Sequence, residues 1–275
     1  MDKLRIVFLS CLLALSLNSE AFCDAKFVNY NQISPQDALI DLNNMSWIPD
    51  GPENSKYVYI IAAPWCPICK MLYEQTRGLN TKVQFRWIMS GGRDSNSKLI
   101  NEVLSFTRDP ELLKKYYTTG VIAGNKNDVS WIIAESNMVS VGSIKPGLRY
   151  SGFPAIIFFN GQNLTVFNGV PAQLSTALDN VAEVPSGAGS FFISMQEIIS
   201  GAAVTQAKEK AYIPNGDQTL IYAFPSELSL RLVVLSKDFG VNSSKIITLK
   251  DNSSWIYIKL FSNGLGGWAR LGDFH

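Results

Sequence analysis

Histidine is nearly missing from this chain: there is 1 in 275 residues, and it is the last, His275. That excludes most catalysis built on an imidazole base and nearly every histidine-rich metal site. No charge of either sign is in excess. The chain carries 24 Lys+Arg against 23 Asp+Glu, a net +1. The basic footprint of a nucleic-acid surface is therefore missing, and no nucleic-acid partner is expected. Cysteine is scarce as well. The 4 cysteines are too few for a disulfide-dense mini-scaffold. Charged residues make up only 17%, against 47% hydrophobic, which places the chain among globular proteins. Its length suits one large domain or two ordinary ones.

The longest apolar run lies at the start. Lys3 and Arg5 precede Ile6 to Leu17, 12 residues that are apolar except for Ser10, Ser16 and the thiol of Cys11. A membrane-spanning helix needs roughly 20 residues, so this run is too short. Small residues follow at Ser19-Glu20-Ala21 and again at Cys23-Asp24-Ala25. The pattern predicts a signal peptide over 1–21, or 1–25. The alternative is a buried N-terminal helix or an uncleaved anchor. An exported, soluble chain is expected, in a compartment where disulfides persist.

Along the rest, a helix is expected over Ser34 to Asn44, with Ser34 as cap and Pro35 at the first helical position. Tyr57 to Ala62 is β-branched and aromatic without polar alternation, which predicts a strand buried on both faces. A helix from about Pro67 to Arg77 follows, with Met71 and Leu72 on its packed side, then a strand over Val83 to Met89. Residues 95–145 read as three helices, the third capped by Asp128. Pro154 to Phe159 and Leu164 to Phe167 read as a hairpin around Asn160-Gly161, and Pro171 to Val181 as a closing helix. Residues 184–190 are composed like a linker. Beyond it, Lys208-Glu209-Lys210 reads as a solvated helix face. Short strands are expected at 220–222, 230–235, 245–249 and 255–260.

The sharpest feature is Trp65-Cys66-Pro67-Ile68-Cys69-Lys70. Two thiols at this spacing can close a disulfide across the first turn of a helix. The unpaired N–H groups and the dipole at a helix start stabilise a thiolate on the N-terminal thiol, Cys66. That thiolate attacks a substrate disulfide, and Cys69 resolves the mixed disulfide. The same pair could be half of a zinc site, but the chain holds no second pair. It could also be an inert staple, but so short a loop gains little from closure. No metal and no cofactor is expected.

A buried strand followed by Trp-Cys-x-x-Cys at a helix start resembles the thioredoxin fold. That fold's second hallmark is a cis-proline before a strand, facing the thiols. Ser151-Gly152-Phe153-Pro154-Ala155 is similar to that loop. Pro154 lies 88 residues after Cys66, much farther than in plain thioredoxins, and the excess is helical. This arrangement resembles the DsbC/DsbG family of periplasmic disulfide isomerases over residues 34–183. The resemblance implies Cys66 and Cys69 as catalytic residues. It also implies Trp65, Pro67, Ile68, Phe153 and Pro154 around the substrate, with a cis Phe153–Pro154 bond. It further implies protein substrates with cysteines or disulfides, and a membrane partner that recharges the dithiol. The chain departs from that family at two points. Phe153 stands where the family often has Thr, and only residues 26–55 precede the redox domain, where the family carries a dimerisation domain.

Ser254-Trp255-Ile256-Tyr257-Ile258-Lys259, followed by Gly264 to Arg270, resembles the end of bacterial SH3-like domains. Such modules bind cell-wall peptides or proteins. Apolar residues on both faces of that strand leave two options, a ligand groove on one face or burial of both. The expected architecture is an α/β thioredoxin-like fold with a helical insertion, followed by a small all-β, SH3-like barrel domain. In residue ranges, that is an N-terminal extension and linker helix at 26–55, a thioredoxin-like domain at 56–183 with its insertion at 95–145, a linker at 184–190, and the β domain at 191–275. The function expected is exported thiol–disulfide exchange. The competing reading is an envelope scaffold of a secretion or conjugation system.

Overall fold

The computed structural model describes residues 25–122, 127–185 and 194–275. The expected leader, Cys11, Cys23 and most of the expected linker lie outside them. Lys26–Phe27 is a short strand, β1, and helix α1 spans Pro35–Asn44. Ser34 caps α1 by accepting the Asp37 N–H, with Pro35 in the first turn. Strands β2 (Ile48–Asp50) and β3 (Tyr57–Ala62) follow, then helix α2 (Pro67–Thr76) and strand β4 (Gln84–Met89). Three helices come next: α3 (Ser95–Thr107), α4 (Pro110–Thr119) and α5 (Ser130–Leu148). Hairpin β5 (Ala155–Phe159) and β6 (Leu164–Asn168) and the short helix α6 (Leu174–Leu178) complete the first unit.

Its five strands form a mixed sheet in the order β2-β4-β3-β5-β6. The parallel β3–β4 pair is joined through α2, and β5 runs antiparallel to β3. Every residue of β3 and β4 is buried: β3 is apolar without alternation, whereas β4 also carries Gln84 and Arg86, whose guanidinium donates to Gln84 Oε1 and Asn43 Oδ1. The hairpin turns at Asn160-Gly161, where Gly161 takes φ +97°. This order, with the dithiol helix between the parallel strands, is a thioredoxin-like fold with helices α3 to α5 inserted before β5. Asp50 fixes the far end of α2. Its carboxylate pairs with Arg77 and accepts the Trp87 indole N–H at 3.2 Å.

The insertion departs from expectation at one cap. Val129, not Asp128, stands before α5 and makes no side-chain cap. Asn127 shapes the turn instead: its Oδ1 accepts the Val129 N–H and its carbonyl accepts the Ser130 hydroxyl.

The second unit holds helix α7 (Met195–Ile199) and strands β7 (Ala203–Tyr212), β8 (Thr219–Tyr222), β9 (Arg231–Leu235), β10 (Val241–Thr248), β11 (Ser254–Lys259) and β12 (Gly266–Arg270). With β1 they form a seven-stranded antiparallel sheet in the order β1-β9-β8-β12-β11-β10-β7. The Lys208-Glu209-Lys210 segment is thus strand, not helix. Its Ala, Lys and Glu favour helix locally, but pairing with β10 decides the matter, and the charges suit an exposed sheet edge. Lys26 and Phe27 pair with Val234 and Val233, so the N-terminal extension is shared: β1 joins the second sheet and β2 the first.

Both faces of β11 are buried. Ile256 and Ile258 join a core that also contains Leu39, Tyr59 and Ile157 of the first unit. Trp255 and Tyr257 join Trp268, Met195 and Ile199 on the other face, together with Val129, Ile132 and Ile133 from the insertion. Trp131 packs its ring 5.8 Å from those of both Tyr257 and Trp268. That aromatic face is therefore covered by the chain's own helix.

A carboxylate fastens this contact. Glu135 of α5 accepts the Tyr257 hydroxyl and, at 3.0 Å, the Gly266 N–H. Burial pushes its carboxyl up from 4.5 to about 7, against the Gly266 hydrogen bond and the Lys245 charge. A carboxyl that binds its proton more tightly when folded stabilises the fold fully below pH 4.5 and loses that contribution as pH rises through 7. The slope is about 1.4 kcal/mol per pH unit across the window. Asp41, raised to about 7 by burial and by Asp37, adds a second share of the same sign. Glu135→Gln should remove its own share and make the fall shallower. Denaturant midpoints between these pH values check this, and an unchanged slope would contradict it.

Candidate functional site

The dithiol site begins where β3 ends. The chain leaves the sheet through Ala63-Pro64-Trp65 and enters α2 with Cys66 as its N-cap. The Cys66 sulfur occupies the place a Ser or Asp oxygen usually takes, accepting the Cys69 N–H at 3.3 Å. Pro67 has no N–H to leave unpaired in this first turn. The helix therefore offers a backbone donor and its positive end to Cys66.

The second thiol sits deeper. Cys66 is 6% exposed and Cys69 0%. Both are free thiols. Burial pushes the Cys69 thiol up, the hydrogen bond with Cys66 adds to this, and the Ala63 backbone works against it. Cys69 thus stays protonated at rest, and Cys66 is the group positioned to attack. Alkylation at mildly acidic pH should label Cys66 far faster than Cys69. Peptide mapping checks this, and equal rates would sink the assignment.

The Phe153–Pro154 bond is cis, and the Phe153 carbonyl faces Cys66 with an S–O distance of 3.6 Å. The Phe153 ring meets Trp65 edge-on at 6.1 Å, and the Arg93 guanidinium lies 5.7 Å from the Trp65 ring. The structure thus brings Trp65, Cys66, Pro67, Ile68, Cys69, Phe153 and Pro154 into one place. Trp65 and Ile68 are 42% and 45% exposed, and Met71 is 53% exposed beside them. Met71 was expected on the packed side with Leu72. Helix geometry explains the difference: the buried face runs Cys69, Leu72, Tyr73, Thr76, while Ile68 and Met71, three apart, share the opposite face.

Two residues of the insertion also reach the site. The Tyr116 hydroxyl donates to the Pro64 carbonyl at 2.6 Å, fastening the turn that carries Cys66. Tyr117 is buried with Cys66, Cys69, Tyr73 and Trp87 in one apolar cluster. In the sequence both tyrosines read only as apolar positions of α4, and no local signal separates them from ordinary core residues. Among the described residues, no third His, Cys, Asp or Glu joins the two thiols in a group able to hold a metal.

No protein-family profile matches the chain, and no curated protein matches it. Among solved structures it is similar to a disulfide interchange protein from Neisseria gonorrhoeae, at 18% identity over 50% of this chain and 95% of that one, with TM-score 0.38. It is also similar to a periplasmic thioredoxin-like protein from Salmonella enterica serovar Typhimurium, at 18% identity over 54% and 95%, TM-score 0.37. BcfH from Salmonella enterica Typhimurium is similar at 16% identity over 65% and 88%, TM-score 0.40.

Proposed function

We propose that this chain is an exported thiol–disulfide oxidoreductase of the isomerase or reductase type. It acts on envelope or secreted proteins through Cys66 and Cys69. One observation carries this reading: Cys66 caps a helix start, takes the Cys69 N–H, and faces the Phe153 carbonyl across an open, apolar rim. The Phe153 backbone would pair with an extended substrate segment, and Trp65, Ile68 and Met71 would bear on its apolar side chains. The periplasm is the compartment this reading implies, with a leader at 1–21 or 1–25. No helix among the described residues is long and apolar enough to cross a membrane.

The finer parts belong to the same proposal. The resemblance to the DsbC/DsbG family, a membrane partner that recharges the dithiol, and the linker near 184–190 are all readings of the sequence. So is the SH3-like β domain with a cell-wall or protein ligand; any such ligand would bind away from the Trp255–Trp268 face, which α5 covers. The test is reduction of a protein disulfide such as that of insulin. Turnover by the full chain supports the oxidoreductase. No turnover over the background favours the scaffold reading. The equilibrium of the Cys66–Cys69 pair with glutathione then separates reductase from isomerase.

A further inference from the structure

The rim of the dithiol carries a charge that the mechanism above does not use. The Arg93 guanidinium lies 5.7 Å from the centroid of the Trp65 ring, and Trp65 is the residue before Cys66. The same indole meets Phe153 edge-on at 6.1 Å, and the Phe153 carbonyl faces the Cys66 sulfur at 3.6 Å. Arg93 is exposed. None of the ion pairs among the described residues includes it. Its neighbour Asp94 is engaged elsewhere: that carboxylate accepts the Ser97 N–H at 2.8 Å and caps α3.

The loop that presents Arg93 is fixed in place. Gly91 has φ +94°, a backbone region that favours glycine. A Cβ on Gly91 would stand 3.7 Å from the Phe153 ring and 3.9 Å from the Trp65 indole nitrogen, so the backbone itself packs on both rim aromatics. A Cβ on Gly92 would stand 3.0 Å from the Lys98 Cα and closer still to its side chain, so glycine lets the loop lie against α3. The Arg93 and Asp94 N–H groups both donate to the Ser97 hydroxyl, at 2.7 and 3.0 Å. Lys98, exposed and beside Gly92, is also outside every ion pair among the described residues. Residues 90–98 thus bring two cations and one carboxylate to the rim, and the carboxylate is the helix cap.

A guanidinium over a ring still has its in-plane donors free for a carboxylate. An extended substrate advances about 3.3 Å per residue. A long side chain two residues from a cysteine joined to Cys66 can therefore reach the guanidinium at Trp65. We infer that Arg93 is a specificity-determining residue, selecting substrates that carry a carboxylate side chain within about two residues of the reacting cysteine. The exchange itself is unchanged: the Cys66 sulfur bonds to one sulfur of the substrate disulfide, and the other leaves as a thiolate. Arg93 acts only on the neighbouring carboxylate. The proposal rests on the oxidoreductase reading and deepens it by naming the substrate class.

The test uses the full chain with Cys69→Ser, so that exchange stops at the mixed disulfide. Two end-blocked peptides, Glu-Gly-Cys-Gly-Glu and Lys-Gly-Cys-Gly-Lys, carry their cysteine as a disulfide with neutral thiopyridine. Absorbance of the released thiopyridone gives each rate, divided by the rate of the same peptide with a small neutral thiol. At low salt the Glu peptide should react about tenfold faster than the Lys peptide, the scale of an exposed attraction and an exposed repulsion taken together. Salt should shrink that ratio. Arg93→Gln should cut it to about twofold, and Arg93→Glu should invert it. A purely structural arginine would move both rates alike and leave the ratio where it was. A ratio near unity before Arg93 is changed overturns the inference. A ratio that Arg93→Gln leaves intact overturns it too, assigning the arginine to packing on Trp65. Trapping needs only the Cys66 thiol and no turnover. A chain that fails to reduce insulin would therefore defeat the oxidoreductase reading, while the ratio still decides this one.

Discussion

Cys66→Ser is expected to bring disulfide exchange down to the uncatalysed background, a loss of roughly a thousandfold or more, the scale on which a removed nucleophile is felt. The change is chemical and not structural. Serine is itself a preferred N-cap, and its oxygen can accept the Cys69 N–H that the sulfur accepts now at 3.3 Å. Helix α2 should therefore start at the same residue and the core should be unchanged. What disappears is the sulfur nucleophile that attacks a substrate disulfide. Cys69→Ser should behave differently. Cys66 still attacks, but nothing resolves the product, so mixed disulfides with substrate accumulate. Non-reducing electrophoresis and intact mass distinguish the two variants. Substantial activity in Cys66→Ser would mean that Cys69 or another group attacks, which its complete burial does not allow.

The site's inner residues were legible because their signal is local. Two thiols at a helix start, a buried strand before them and a Phe-Pro step before the next strand are contiguous stretches whose chemistry follows from neighbours in sequence. The rim was less legible. Placing Met71 required the helix phase set by Cys69, Leu72 and Tyr73, which is clear only once the core is known. Tyr116 and Tyr117 come from an insertion, and their roles depend on the approach of α4 to the Pro64 turn. The second unit shows the same division. Strands β8 to β11 carry their own β-branched and aromatic signal. Strand β7 has a helix-forming composition, and only the β10 ladder makes it a strand. Strand β1 pairs with β9, at the opposite end of the chain, which no local pattern reveals.

Ile133→Asp is expected to unfold the molecule as a whole. Ile133 lies on α5, fully buried in the cluster that joins the insertion to Tyr222, Trp255, Tyr257 and Trp268. A carboxylate there has no partner and costs about 4 kcal/mol or more, against a total stability on the order of 5–15 kcal/mol. The damage should not stop at the β unit. A single core cluster runs from Leu39, Tyr59 and Ile157 of the thioredoxin-like unit to Ile221, Val233 and Ile256 of the seven-stranded sheet. Strand β1, on the chain leading into α1, is also paired in that second sheet. Loosening one unit therefore exposes apolar surface of the other, and a shared apolar core makes unfolding cooperative. Thermal unfolding followed by circular dichroism, with alkylation of Cys69 as a report on the redox unit, should show one transition in the wild type and a much lower one in the variant. Two transitions, with Cys69 protected through the first, would mean that the redox unit folds without the sheet that covers its insertion.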